Sequence, residues 1–260
     1  LRENPRARAA VVTGAASGIG FATAQALLEH GVSVSAWDVD AALLQRRALE
    51  WHQAGYDAHV SQVDVTDATS VDAAFDHLTE RSARLDFLVN VAGIVRYGRV
   101  EDFPESDWDS VMNVNVKSVF LACRRAIPLM RASGGGSIVN FASVQAVASQ
   151  QTVAAYSASK GAVVSLTRTL ALDHAADGIR VNCVLPGSVE TPMLRAGAET
   201  FAPENPEAAM QAWGRQHPLG FLAQPEDMAA IVRFLLSEEA RVITGASIVA
   251  DEGLLAKLGV

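Results

Sequence analysis

The chain has 260 residues, half of them apolar and 19% charged, with 19 glycines, a mixture that excludes disordered, coiled-coil and collagen-like chains and suits one large α/β domain. Twenty-one basic against 29 acidic residues give a net charge of -8, which opposes a broad polyphosphate-binding surface and so excludes nucleic acid as the expected partner. The basic opening Leu1 to Arg8 leads into no apolar run long enough for a signal or membrane segment, so the expectation is a soluble, cytoplasmic protein with no membrane association.

Ala7 to Thr13 is a short apolar run ending in Thr13-Gly14-Ala15-Ala16-Ser17-Gly18-Ile19-Gly20, followed by an alanine-rich segment through Glu29; this predicts strand, glycine turn and helix. Gly31 stops that helix, Val32 to Trp37 predicts a second strand closed by Asp38, and a helix follows to about Ala54. The alternation continues with a strand at Ala58 to Val63, a helix at Ala68 to Ser82 and a strand at Leu85 to Asn90. One long helical region is expected from Pro104 to about Met130, ended by Gly134-Gly135-Gly136. Next come a strand at Ser137 to Ala142 and a helix from Val153 to Ala176 with Val163, Leu166 and Leu170 on its packed face. Ile179 to Leu185 predicts a further strand, Gly187 to Pro218 reads as less regular, and a helix at Glu226 to Leu236 precedes a last strand at Ile243 to Ala250. Seven strands separated largely by helices predict a single Rossmann-like domain over 1–260, with a doubly wound, mainly parallel sheet and helices on both faces.

Gly14, Gly18 and Gly20 let a main-chain turn approach a pyrophosphate while helix amides beginning near Ser17 face its charge. Asp38, directly after the second strand, is placed to accept hydrogen bonds from both adenosine-ribose hydroxyls and to repel a 2′-phosphate; it also suits a helix N-cap. With no Arg or Lys at Ala15, Ala16 or Val39, NAD is favoured over NADP. Asp64 follows the third strand, either as a cap for the helix beginning near Asp67 or against adenine, and Asn90-Val91-Ala92-Gly93 ends the next strand at a potential cofactor floor. Tyr156 and Lys160, four apart in a helix, share one face, and Ser143 comes from the loop after the preceding strand. An ammonium near the phenol favours phenolate, which makes Tyr156 an acid/base for an alcohol or carbonyl held by Ser143. Cys123 and Cys183 read as buried thiols, the six histidines form no ligand cluster, and no metal is expected.

From about Ala7 to Gly253 the chain resembles a classical short-chain dehydrogenase/reductase. The resemblance implies that Thr13 to Gly20, Ile19 included, is the dinucleotide signature, that Asp64 and Val65 contact adenine, and that Asn90, Ala92 and Gly93 stand at the cofactor, with Val91 departing from the usual Asn-Asn-Ala-Gly. It implies a catalytic set of Asn115, Ser143, Tyr156 and Lys160, in which Asn115 retains a water linked to Lys160 and Lys160 also binds the nicotinamide ribose. Pro186-Gly187-Ser188-Val189-Glu190-Thr191 resembles the following cofactor loop, in which Val189 addresses the carboxamide and Thr191 the cofactor end. Glu252 replaces the first glycine of the family's Asp-Gly-Gly ending, and a homotetramer is implied.

The expected activity is NAD-dependent interconversion of an alcohol and its ketone, aldehyde or lactone. A substrate lid is expected at about 190–219, where Met193 and Trp213 offer apolar contact, and Gln145 and Gln150 near the catalytic loop, with Ser143 and Tyr156, recognise hydroxyls or carbonyls. Similarity to sugar and polyol dehydrogenase branches puts a sugar or polyol first. A hydrophobic secondary alcohol, a steroid-like ketone or a 3-oxoacyl thioester is the alternative, and a non-enzymatic dinucleotide sensor the competing class.

Overall fold

The computed structural model describes residues 8–257; most of the basic opening, and Ala7 at the expected start of the first strand, lie outside them. Seven strands, β1 Ala9–Thr13, β2 Ser33–Asp38, β3 Ala58–Gln62, β4 Phe87–Asn90, β5 Gly136–Phe141, β6 Ile179–Pro186 and β7 Ser247–Ala250, form one sheet in the order β3-β2-β1-β4-β5-β6-β7. Every neighbouring pair is parallel. Helices supply the crossovers: α1 Gly18–Glu29, α2 Ala41–Gln53, α3 Ala68–Arg81, α4 Glu105–Met112, α5 Ser118–Ala132, α6 Ala154–His174, α7 Pro192–Phe201, α8 Pro206–Gln216 and α9 Pro225–Leu236. The architecture is a single Rossmann-type α/β domain, doubly wound.

Strand residues alternate between two cores because successive side chains point to opposite faces. Val12, Val34 and Val139 pack with Leu27 of α1, Trp51 of α2 and Val232 of α9. Val11, Leu88, Ile138 and Val181 pack on the other face with Phe75 of α3, Met130 of α5 and Val163 of α6. Each fully buried large aliphatic or aromatic side chain contributes about 1.5–3 kcal/mol by leaving water. The sheet is therefore a rigid floor whose strand ends hold loop residues in place. The order reverses between β1 and β4, and there Thr13 Oγ1 accepts the N–H groups of Val91 and Ala92 at 3.1 and 3.2 Å, joining the two strand ends where ligands bind in such sheets.

Three expectations need correction. The helical region from Pro104 is two α-helices joined by a π-helical turn at Asn113–Lys117, which inserts an extra residue into the ladder and carries Asn115 inward. The stretch Gly187 to Pro218 holds α7 and α8, each begun by an oxygen-bearing N-cap, Thr191 or Asn205, followed by proline at the first helical position. The last strand is shorter than Ile243 to Ala250, because residues 243–246 are spent on β6: Thr244 Oγ1 accepts the Val181 N–H, and Asn182 bonds Ile243 O and Ala246 N. The packed face of α6 runs through Ala155, Ser159, Lys160, Val163, Thr167 and Ala171, with Leu166 and Leu170 only partly buried beside it. Among the described residues no helix is long and apolar enough to cross a membrane.

Candidate active site

The β1–α1 connection is a cradle that only glycine permits. Gly14 and Gly18 adopt φ of +67° and +52°, and a Cβ on Gly20 would run into the Gly14 carbonyl oxygen. A Cβ on Gly14 would stand 3.0 Å from the Ala92 backbone, and one on Gly18 3.3 Å from the Thr191 methyl, so the turn is pressed between the end of β4 and the start of α7. Ser17 is the N-cap of α1 but its side chain makes no capping bond, and the first turn carries no acid. The positive end of α1 is therefore open to an anion. Ile19 lies farther along the same turn and lines the cavity described below.

At the next strand end Asp38 accepts the Ala16 N–H at 2.9 Å and the Asp40 N–H at 3.0 Å, fixing its carboxylate beside the cradle. It is not the helix cap; Asp40 caps α2 by accepting the Leu43 N–H. Likewise Asp67, not Asp64, caps α3, while the exposed Asp64 carboxylate accepts from Thr66, with the partly buried Val65 beside it. The Asn90 amide points into the sheet, where it donates to Asn140 Oδ1 at 2.8 Å and approaches Cys123 Sγ, and Asn140 in turn donates to Thr167. That side chain ties strands to α6, so Ala92 and Gly93 are what this strand end presents at the cradle.

Deeper in, Tyr156 and Lys160 project from one face of α6, with Lys160 Nζ 5.5 Å from the Tyr156 ring centroid and donating to the Phe141 carbonyl oxygen at 2.9 Å. Ser143, buried after β5, accepts the Gln145 N–H at 3.2 Å. Asn115 is buried in the π-helical turn, where Oδ1 accepts the Ile94 N–H at 2.8 Å and Nδ2 donates to Ile94 O and Ser159 Oγ. Burial pulls Lys160 down to about 8. Burial also pushes the Tyr156 phenol up to about 12, against the Ser143 hydroxyl and reinforced by Tyr97. The lowering of the phenol expected beside Lys160 is opposed by burial, which dominates both groups.

These groups open onto a cavity of about 830 Å³. Its wall includes Ser143, Gln145, Gln150, Tyr156, Met193 and Trp213, together with Gly93, Lys160, Pro186, Gly187, Val189 and Thr191. Two further parts of the wall escape sequence reading. Tyr97, in the loop after β4, packs edge-on against Phe201 of α7 at 4.7 Å, with Gly197 beneath its hydroxyl. Leu254 and Leu255 arrive from the turn after β7. Neither lies in a periodic segment, which is why no pattern announces them. Of the other residues in the segment expected to form the lid, Met210 is buried and Arg195 pairs with Glu207 outside the wall.

A family model described as Enoyl-(Acyl carrier protein) reductase matches residues 14–255. The chain is 38% identical over 94% of its length to 2-(S)-hydroxypropyl-CoM dehydrogenase 3 of Xanthobacter autotrophicus, 95% of which is covered. The chain belongs to the classical short-chain dehydrogenase/reductase family. Cis-4-hydroxycyclohexanecarboxylate dehydrogenase of Sinomonas cyclohexanicum is 40% identical, with 96% of this chain and 97% of the relative covered. Among solved structures, levodione reductase superposes with a TM-score of 0.93 at 33% identity, covering 96% of this chain and 98% of that one. Thermoplasma acidophilum aldohexose dehydrogenase follows with a TM-score of 0.89 at 33% identity, covering 98% and 96%.

As a short-chain dehydrogenase/reductase, the protein is an oxidoreductase of CH–OH and C=O groups that uses a nicotinamide dinucleotide. The open α1 terminus, the cradle closed to any Cβ and the oriented Asp38 carboxylate fit that cofactor. Of the two departures from the family pattern, Val91 packs against the core beneath the cavity, and Glu252 takes a left-handed turn at φ +52°.

Proposed function

We propose that the protein is an NAD-dependent dehydrogenase/reductase for a neutral, mainly hydrophobic secondary alcohol and its ketone, the class that stood second in the sequence reading. The observation that carries this is the lining of the cavity that holds Tyr156: Val95, Tyr97, Met193, Leu194, Phe201 and Trp213 contribute to it, and Lys160 is the only Lys, Arg, Asp or Glu among the described residues lining it. A sugar would leave most of its hydroxyls against apolar surface, at a cost of about 1–3 kcal/mol for each one left unpaired. Gln150 and Gln151 are exposed, and Gln145 accepts from Ser157, so the glutamines serve the entrance more than the reacting end. The names of the hydroxypropyl-CoM, hydroxycyclohexanecarboxylate and levodione enzymes support the alcohol/ketone part of this class, the neutral part resting on the wall alone, with the aldohexose enzyme standing for the other.

NAD is preferred over NADP because the Asp38 carboxylate keeps free lone pairs for ribose hydroxyls and opposes a phosphate dianion there. Arg47, which reaches the Ala16 carbonyl oxygen, is engaged by Glu50 and by the Phe21 ring as well. The bound dinucleotide would supply or accept the hydride. Ser143 would hydrogen-bond the substrate oxygen, Tyr156 would give it a proton in reduction and remove one in oxidation, and Lys160 would hold the cofactor ribose and, with the water expected at Asn115, relay the proton. Exposed Trp108, Phe120 and Leu172 on α4 to α6, and Phe234 and Val249 on α9 and β7, support the homotetramer expected of a soluble cytoplasmic member.

The test is absorbance at 340 nm with cyclic and aryl secondary alcohols, polyols and aldohexoses, each with NAD and with NADP. Turnover of the hydrophobic set with NAD is expected; selective turnover of aldohexoses, or with NADP, overturns the corresponding half of the proposal.

A further inference from the structure

His217 follows α8 with both ring nitrogens engaged. Nδ1 lies 3.0 Å from the Trp213 carbonyl oxygen and so carries the ring proton, which leaves Nε2 to accept the Ser188 N–H at 3.2 Å. The ring is buried, its side chain 2% exposed, and Nε2 stands 3.6 Å from Glu252 Oε2. That oxygen is itself buried without a hydrogen-bond partner. Glu252 sits in the left-handed region, where the family's ending has glycine, so the backbone bears strain to bring this carboxylate inside. Gly187 completes the fit: a Cβ there would come 3.1 Å from Nε2 and 2.9 Å from Asp251 Cα. The end of the lid, the loop after β6 and the turn after β7 thus meet at one imidazole.

The other charged groups at this junction are occupied. Asp251 accepts the Gly253 and Leu255 N–H groups, Asp227 on α9 accepts the Gln224 N–H, and Lys257 donates to the Gln216 carbonyl oxygen. Burial, with Asp251 and Asp227 adding to it and His217 opposing it, holds the Glu252 carboxyl above the usual carboxylate range.

We propose that His217 and Glu252 are positioning residues for the nicotinamide end of the cofactor. His217 fixes the Ser188 amide through Nε2 and with it the loop from Gly187 to Val189, and the Glu252 carboxylate, brought inside by its left-handed backbone, stands against the same nitrogen. This rests on the dinucleotide reading of that loop, and the experiment separates the two.

NADH and ADP-ribose, which lacks the nicotinamide end, are titrated against the full chain by calorimetry at pH 8, with NADPH and its 2′-phospho counterpart in their place if NADP is preferred. His217→Leu is expected to weaken NADH about tenfold, the effect of one unpaired buried amide, and to leave ADP-ribose unchanged. His217→Gln, which can still accept the Ser188 N–H, is expected to restore most of the NADH affinity, and Glu252→Gly to weaken NADH severalfold with ADP-ribose unchanged. Equal weakening of both ligands in a folded His217→Leu, or a His217→Gln as weak for NADH as His217→Leu, overturns the proposal. If His217→Leu does not fold, His217→Asn, too short to reach the amide, takes its place. Failure of both ligands to bind the wild type overturns the cofactor reading instead.

Discussion

Asn115 Oδ1 and Lys160 Nζ converge on Gly93: a methyl group on that residue would stand 3.4 Å from the first and 3.5 Å from the second. The π-helical turn delivers one and α6 the other, and glycine keeps the ground between them clear. These are ordinary contact distances, so Gly93→Ala is expected to fold with stability changed by less than about 1 kcal/mol. It would nevertheless compete for the place of the water expected between Asn115 and Lys160, and kcat should fall at least about tenfold while KM for substrate holds. Steady-state kinetics beside thermal unfolding distinguishes this from a general loss of structure.

Tyr156→Phe removes the only phenol in line with Ser143 and Lys160 and is expected to lower kcat by about 10²–10⁴-fold, the usual worth of a positioned acid/base. In the wild type the phenol, pushed up to about 12, is protonated through the neutral range, which suits reduction. Oxidation needs the phenolate, so its rate should climb with pH up to the working value set by the bound cofactor, while the reduction rate declines over the same interval. An oxidation rate flat from pH 6 to 10 at saturating substrate would count against Tyr156 as the base.

Lys160 stands for function against stability. Its folded value of about 8 lies below the 10.5 of the unfolded chain, so as pH falls through that window the unfolded chain takes a proton that the folded one resists, and stability is lost. Lys160→Met keeps the volume and drops the charge. The ligand-free variant should gain about 1–2 kcal/mol at pH 7, or roughly 3–6 °C in Tm, and lose activity. A lower Tm for the variant contradicts this account of the buried ammonium.

Much of this was readable because the chemistry rides on regular elements. The β1–α1 turn and the Tyr156–Lys160 face follow from local spacing, and the structure puts both at the strand ends that the alternating pattern predicts. For Asn90, sequence shows a polar residue at a strand end but not the direction of its side chain, here turned to Asn140. The lid was read as irregular because proline and acidic residues look like loop composition, although proline after Thr191 or Asn205 begins a helix. Tyr97, Leu254 and Leu255 reach the cavity through tertiary folding of loops, which no periodicity encodes.

Asp38→Ser should separate the cofactors. Removing the carboxylate costs NAD the hydrogen bonds to its ribose, about 10- to 100-fold in KM, and removes the repulsion toward a 2′-phosphate. NADP turnover is expected to rise as NAD turnover drops. An unchanged NAD/NADP ratio would show that Asp38 serves only to brace Ala16 and Asp40.

Gly197→Ala probes the aromatic wall. Its methyl would approach the Tyr97 hydroxyl to 2.9 Å, forcing the Tyr97–Phe201 pair to shift. KM for a bulky hydrophobic alcohol should change severalfold while the affinity for NADH does not. Equal change in both would place the effect on the whole lid.

Because α7 and α8 each begin with their own cap and proline, the lid is specified as two short rods independently of the sheet beneath. Their inward residues are therefore free to vary so long as Thr191 and His217, which join the two ends of this segment to the glycine turn and to the loop after β6, are kept. Substrate preference in such a chain is a modular property, open to exchange by rewriting some twenty-five residues while the dinucleotide half stays as it is.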